Sequence, residues 1–414
     1  MAVHIFQTGC RDVGRKGFEY FLDFEEFFPA DVSFEGVHCR DFDVEERVER
    51  FAECLGRDIE VFDRLDDLYS AAEEVDGTVL IYDAGPPHLH SRNISESLTH
   101  GFHHLTEKPP SVTRDEHVSE RKLAASSPVS YKVDSLEREN PVVMKTRELL
   151  EDETVEQVEV FSESSFGVQK VLQPVRFSHV RGGCVLDRLS SCIYVMDFLE
   201  SEEFSFTEAD IEYLVPKNLG GERLLETDGS SSRSVSDCSA VGKCKGVFSS
   251  GETCVDMYGS WMGLSERAGL LSSRVNELFG SDLFRAGYRE LGGKGFRDVE
   301  CRFFRIEGSR TLIGDLMNNR LYDMEDREEL STPSLLRGQL YRVLEKSVLE
   351  AAGVESREVD AEEVERFMDG LFDIQESGYS GDVFEAVDDA SERIRSFVDD
   401  KKISDSPDNS GVAR

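Results

Sequence analysis

Six residues near the start of the chain, Gly9-Cys10-Arg11-Asp12-Val13-Gly14, have types and spacing suited to holding a phosphate. They follow an apolar run at 3–6 and precede a segment in which Phe18, Phe21 and Leu22 fall at i, i+3 and i+4, so they form a turn from a strand into a helix. Such a turn cradles a dinucleotide pyrophosphate when it reads G-x-G-x-x-G, because the middle glycine lets the backbone approach the phosphates at the helix N-terminus. Here Arg11 takes the middle place. Its guanidinium either occludes the phosphates or supplies charge to them, and a βα turn without any ligand is the plain structural alternative. After the second strand comes Cys39-Arg40-Asp41. An arginine there suits a 2′-phosphate and an aspartate suits the bare ribose, so NADP and NAD stay open, with a surface ion pair the alternative for Arg40.

The elements that must position these residues alternate. Strand-like runs at 3–6, 32–38, 59–62 and 78–82 are separated by helix-period segments, one carrying Val48, Phe51, Ala52 and Leu55 and another Leu65, Leu68, Tyr69 and Ala72. Strand–helix alternation implies a parallel, doubly wound sheet, since parallel neighbours need crossovers. After Ser127 the rhythm changes to longer, closer strand-like runs at 157–161, 239–248, 254–261, 300–306 and 310–315, which fit a mixed or antiparallel sheet. Helices are expected near 334–352, 361–373 and 383–398, and a serine-rich surface loop at 228–238. The expected fold is α/β, an N-terminal Rossmann sheet plus a C-terminal α+β domain with a largely antiparallel or mixed open sheet. The expected borders are 1–127, 128–398 and a polar tail at 399–414.

Gly85-Pro86-Pro87-His88-Leu89-His90 follows the fourth strand, and Gly101-Phe102-His103-His104-Leu105-Thr106-Glu107-Lys108-Pro109 begins 11 residues beyond His90. Together they resemble the Gfo/Idh/MocA family of NAD(P)-dependent oxidoreductases, whose pattern is P-x-x-x-H and then G-K-H-V-L-x-E-K-P. The resemblance falls on Pro86, His90, Gly101, His103, Leu105, Glu107, Lys108 and Pro109, while Phe102 and His104 depart from it. It implies that Lys108, at the end of a parallel strand, donates to the substrate oxygen while a nicotinamide exchanges hydride. Glu107 and Pro109 would place that lysine, the bond before Pro109 being often cis in the family. Pro86, His90 and Glu107 would stand at the dinucleotide with Gly9, Arg11, Gly14, Arg40 and Asp41.

Farther on, Arg181 to Ser191 is similar to the family's G-G-G-x-x-x-D-x-G-x-H, with Asp187 in the aspartate place, and Ser191 where the histidine belongs. Serine does not replace imidazole as a proton donor near neutrality, which leaves Tyr194, about one turn on, as the candidate. Asp187 reads alternatively as a helix-start carboxylate. Arg138-Glu139-Asn140-Pro141 is similar to the family's R-x-x-P element. The resemblance is good over 3–141, patchy to 197 and nearly absent afterwards.

The 414 residues suffice for two domains. The excess of 84 acidic over 47 basic residues, net charge -37, disfavours binding to nucleic acid or anionic lipid. With 13 lysines to 34 arginines, the acidic surface is that of a halophilic cytoplasmic protein. Nine cysteines without a C-x-x-C pair indicate neither a disulfide framework nor a zinc knuckle, and no leader or apolar membrane span is read, so a reducing cytosol is expected. The pairs His88/His90 and His103/His104 lack a closed ligand set, so no metal is expected. Trp261 reads as a core residue. The preferred function is hydride transfer between NAD or NADP and a sugar, polyol or related small molecule. A redox-assisted lyase or glycosidase and a noncatalytic binding or regulatory protein remain the alternatives. Pairing through the open face of the second sheet, common in the family, implies a homo-oligomer.

Overall fold

The structure is a computed structural model. It describes residues 2–10, 13–27, 31–39, 48–49, 52–53, 56, 59–151, 153–164, 183–198, 204–214, 238–249, 251–261, 264–291, 294–334, 338–353 and 367–372. Arg11, Arg40, Asp41, the serine-rich loop at 228–237, the helix expected at 383–398 and the tail lie outside the described residues.

The first sheet contains β1 (Val3–Thr8), β2 (Val32–His38), β3 (Glu60–Phe62), β4 (Thr78–Asp83), β5 (His103–Thr106) and β6 (Tyr131–Val133). All neighbours are parallel in the order β3-β2-β1-β4-β5-β6, as the strand–helix alternation requires. Successive side chains serve opposite faces. Ile5, Leu80 and Tyr82 enter one core with Phe21 and Phe24 of α1 (Val13–Phe27), whereas Phe6, Val79 and Ile81 enter the other with Leu68 and Tyr69 of α2 (Leu65–Glu74). Two further crossovers are α3 (Pro87–His100) and α4 (Arg114–Ser126). The strand order reverses between β1 and β4, whose ends are level at Thr8 and Asp83; doubly wound sheets bind ligands at this crevice. The sheet extends past the expected 127/128 border, because β6 pairs with β5.

The second sheet comprises β7 (Val155–Ser164), β8 (Phe204–Leu214), β9 (Cys238–Phe248), β10 (Cys254–Ser260), β11 (Arg285–Leu291), β12 (Lys294–Gly308), β13 (Leu312–Asp315), β14 (Arg320–Asp323) and β15 (Glu328–Leu330). Its order is β15-β14-β13-β12-β7-β10-β9-β8, with β11 beside β12. Among its described pairs β7 and β10 are parallel and the rest antiparallel, so the expected mixed sheet is found. One face packs against α5 (Pro141–Leu150), the segment Val185–Phe198 and 367–372. On the other, α6 (Glu266–Phe279) covers Phe161, Tyr258, Phe303 and Tyr322. The face expected to be open is therefore covered within the chain over these strands. The last helix described in full, α7 (Gln339–Ala351), leaves the second sheet and lays Leu340, Leu344 and Val348 on the first-sheet core.

Strand β8 escapes the sequence pattern because Glu208, Asp210 and Glu212 alternate along it; charge of this kind is what a terminal strand carries to block further pairing. The cysteine reading also needs correction. Cys10 and Cys39 are joined in a disulfide, 29 residues apart in sequence; a single bridge needs no framework spacing, only proximity in the fold.

Glu163 of β7 is 1% exposed, and its Oε2 accepts the Ser265 N–H at 2.7 Å where α6 begins. Burial pushes its carboxyl up to about 7 from an ordinary 4.5. The folded chain thus holds this proton to higher pH than the unfolded chain. Stability from the group is full below about pH 4.5 and declines as the pH rises toward about 7. Glu163→Gln keeps an acceptor but cannot ionise, so it is expected to remove the decline, up to about 3 kcal/mol near pH 8. Melting temperature against pH checks this, and an unchanged decline in the variant places the pH dependence elsewhere.

Candidate active site

The crevice floor is built from polar residues at the ends of apolar strands. Gly9 takes φ +77°, and a Cβ there would lie 2.4 Å from the Ala84 carbonyl oxygen, so only glycine lets the turn lie this close to β4. Gln7 Nε2 donates to the carbonyls of Gly9 and Gly14 at 2.6 and 2.9 Å, fastening both ends of the turn. Asp83 accepts from Thr8 Oγ1, from the Gly85 N–H at 3.0 Å and from Asn93 Nδ2 at 2.8 Å, which fixes the turn after β4. Gln7, Thr8, Asp83 and Asn93 were not identified as site residues in the sequence. The available signal was a polar side chain inside or at the end of an apolar run, where an unsatisfied group would be costly.

Pro86 stands in that turn and caps α3. His90 is 0% exposed, and its ring bridges the carbonyls of Gly85 and Pro109, each at 2.9 Å. It is placed as a clamp between the turn after β4 and the loop after β5, rather than on the crevice surface. Glu107 also turns inward: its backbone N–H donates to Asp83 O at 2.9 Å, and its Oε1 accepts the Tyr82 hydroxyl at 3.1 Å. Burial pushes the Glu107 carboxyl above its usual range and the Asp134 carboxyl well above; the hydrogen bond from Asp134 favours the Glu107 carboxylate, whose charge raises Asp134 further.

This packing presents Lys108, whose bond to Pro109 is cis. Its Nζ donates to the carbonyl oxygen of Asp187 and to Asp187 Oδ1 at 3.3 Å. The two side chains are 25% and 30% exposed, so the pair is partly open to solvent where the loop after β5 meets the segment Val185–Phe198. Asp187 Oδ2 accepts the Trp261 indole N–H at 2.8 Å. The tryptophan is buried, as expected, yet its one polar atom holds the carboxylate. Behind Asp187, Arg188 donates to Ser164 Oγ at 2.6 Å and Glu300 Oε1 at 3.1 Å, and Arg302 donates to Glu137 Oε1 at 2.9 Å. Three cations and three carboxylates thus interlock around the Lys108 amine.

Tyr194 does not join this group. It is 2% exposed, packs against Phe198 and Phe304 with ring centroids 5.8 and 5.9 Å away, and burial pushes its phenol well above the ordinary 10.0. Counting α-helical turns from Asp187 misplaces it, because Val185–Leu189 is a π-helical turn running into the 3₁₀ helix Ser190–Phe198. The histidines disperse as well. His103 meets Ser130 Oγ at 2.6 Å and His104 meets Ser97 Oγ at 2.8 Å, with burial lowering His104 to about 4. Among the described residues no group of three His, Cys, Asp or Glu side chains is placed to hold a metal. No described helix is long and apolar enough to cross a membrane.

No protein-family model matches the sequence, and neither does any curated protein. Solved structures do match over nearly the whole chain. Levoglucosan dehydrogenase, in complex with NADH and levoglucosan, aligns at TM-score 0.63 with 13% identity, covering 95% of this chain and 98% of that one. The chain shares its fold with this solved dehydrogenase. UDP-N-acetylglucosamine 3-dehydrogenase GnnA from Acidithiobacillus ferrooxidans aligns at 0.60 with 14% identity, covering 91% and 98%. The myo-inositol 2-dehydrogenase from Lactobacillus plantarum aligns at 0.61 with 11% identity, covering 91% and 97%. Lys108 follows β5, whose end pairs with the end of β4 at Thr106 and Asp83, so its contact with Asp187 lies at the C-terminal end of the parallel sheet, one strand from the point where the strand order reverses.

Proposed function

We propose that the chain is an NAD(P)-dependent oxidoreductase of the Gfo/Idh/MocA family, acting on a hydroxyl or carbonyl carbon of a sugar, polyol or related small molecule. The observation that carries this reading is the Lys108 amine, on the loop after β5, held by Asp187 of the segment Val185–Phe198. Solved dehydrogenases with this fold act on sugars and inositol, one of them in complex with NADH.

A dinucleotide fits the residues present. Gly9 has no room for a side chain, and a Cβ on Gly14 would lie 2.5 Å from the Gly9 carbonyl oxygen, at the start of α1. Gly9 and Gly14 would hold the pyrophosphate, with Arg11, Arg40 and Asp41 proposed at the phosphates and ribose. When bound, the nicotinamide supplies the hydride acceptor or donor. Lys108 Nζ exchanges a proton with the substrate oxygen as charge develops there. Asp187 orients that amine and stabilises its positive charge, and Trp261 fixes the carboxylate. Glu107 and His90 position the loop that carries Lys108. The acidic surface supports a place in a salt-rich cytoplasm and disfavours nucleic-acid or anionic-membrane partners, and a homo-oligomer would need a surface other than the covered face of the second sheet.

Ser191, standing where the resemblance puts an imidazole, favours a second reading in which the protein binds the dinucleotide or a sugar without turnover. Titration of the reduced protein with NADH and NADPH in high salt, followed by incubation with a panel of sugars and polyols, tests the proposal. A saturable fluorescence change and a stoichiometric change in nicotinamide absorbance are expected. Bond cleavage with no net redox change points to a lyase, binding without turnover points to the second reading, and no binding overturns the dinucleotide assignment.

A further inference from the structure

Cys10 follows Gly9 in the β1 turn, and Cys39 follows His38 at the end of β2. Their Cα atoms are 6.1 Å apart and their sulfurs are bonded. Gly9 N also donates to His38 O at 2.9 Å, so the backbone holds positions 10 and 39 side by side, within ordinary disulfide span, without help from the covalent bond. Cys10 is 1% exposed and Cys39 is half-buried, so a reagent enters through Cys39.

The thiols whose side chains are described differ in kind. Cys184, Cys192, Cys244 and Cys301 are buried and Cys254 is exposed, and burial pushes the Cys192 thiol up to about 12. A bridge beside a ligand turn has the placement of a reversible one, and in a reducing compartment disulfides are usually transient.

In a doubly wound sheet the adenosine half of a dinucleotide lies over the first turn and the end of the second strand, which is where these two sulfurs meet. We propose that Cys10 and Cys39 form a thiol–disulfide modification site that governs dinucleotide binding. The dithiol admits the dinucleotide, and the disulfide excludes its adenosine ribose. The inference rests on the dinucleotide reading above. Two bonded sulfurs offer ribose hydroxyls no donor, and the bond fixes the Cys39 side chain toward Cys10 at the place the ribose would occupy. A low-molecular-weight disulfide, RSSR, serves as oxidant. The Cys39 thiolate attacks one of its sulfurs and releases RS⁻; the Cys10 thiolate then attacks Cys39 Sγ and expels the second RS⁻. Two thiols lose two protons and two electrons in all, and RSSR is reduced to two RSH.

The full chain, equilibrated in high salt with excess reduced or oxidised glutathione, tests the site. Peptide mass mapping after alkylation reads the bridge, and fluorescence titration reads the Kd for NADH and for NADPH. The oxidised protein is expected to carry the Cys10–Cys39 peptide and to bind roughly tenfold or more weakly than the reduced protein, recovering on re-reduction. Cys39→Ser, checked for its melting temperature, should bind alike in both buffers. Equal affinity with the bridge formed, or no bridge under oxidation, overturns the proposal while leaving the dinucleotide reading in place. Binding by neither form removes that reading and this proposal with it.

Discussion

Lys108→Ala is expected to lower turnover by roughly 10²-fold or more while leaving dinucleotide affinity within about threefold. The ammonium is held at a partly exposed surface by the carbonyl and Oδ1 of Asp187. Arg188 and Arg302 are committed to Glu300 and Glu137 behind it and are too encumbered to take its place. Because the Lys108–Asp187 pair is partly solvated, its loss should shift stability by about 1 kcal/mol or less, so a fall in rate reports chemistry rather than unfolding. Turnover and nucleotide titration are measured on the same preparation, with the sugar or polyol found active in the panel above. A variant as fast as the wild type takes Lys108 out of the mechanism, and a variant that binds nucleotide poorly makes it a binding residue instead.

Gly9→Ala should act on the other half of the reaction. Its φ of +77° is unfavourable for any L side chain, and the added Cβ would sit 2.4 Å from the backbone oxygen of Ala84. That oxygen is not the end of a flexible side chain: the Ala84 N–H is bonded to Thr8 O at 2.9 Å and the next residue is held by Asp83, so neither turn can yield alone. We expect a loss of about 2 to 4 kcal/mol in stability and a roughly 10²-fold weaker Kd for NAD(P)H. Gly101→Ala is the control. Gly101 has φ +75° at the end of α3 but nothing within 4 Å of a Cβ, so it should cost about 1 kcal/mol and leave binding unchanged. Denaturant unfolding and fluorescence titration compare the two. Equal losses in both variants would mean that backbone conformation, not the close approach to Ala84, sets the requirement.

Much of the first sheet was legible because its signals are local. β2 runs from Val32 to His38 as its apolar pattern predicts, and the buried face of α2 is Leu68, Tyr69 and Ala72, the residues at helical spacing. The loop that bears Lys108 was legible as well, through a motif confined to Gly101–Pro109 and its match at Pro86 and His90. The second sheet was read more weakly. β14 and β15 are short, and β8 alternates acid with apolar residues at an edge, so neither length nor hydrophobicity separates them from loop.

By itself the sequence determined the alternation of elements, the glycine turn at 9–14 and the loop ending in Lys108, since each depends on neighbours a few residues apart. The tertiary structure alone decided that Tyr194 lies in the core while Trp261 holds Asp187, that His90 clamps two loops, that Cys10 meets Cys39, and that α7 returns to the first sheet. Each of these is a contact between segments distant in sequence. Its partner is chosen by which surfaces the packed sheets bring together, a choice that residue type and spacing do not carry.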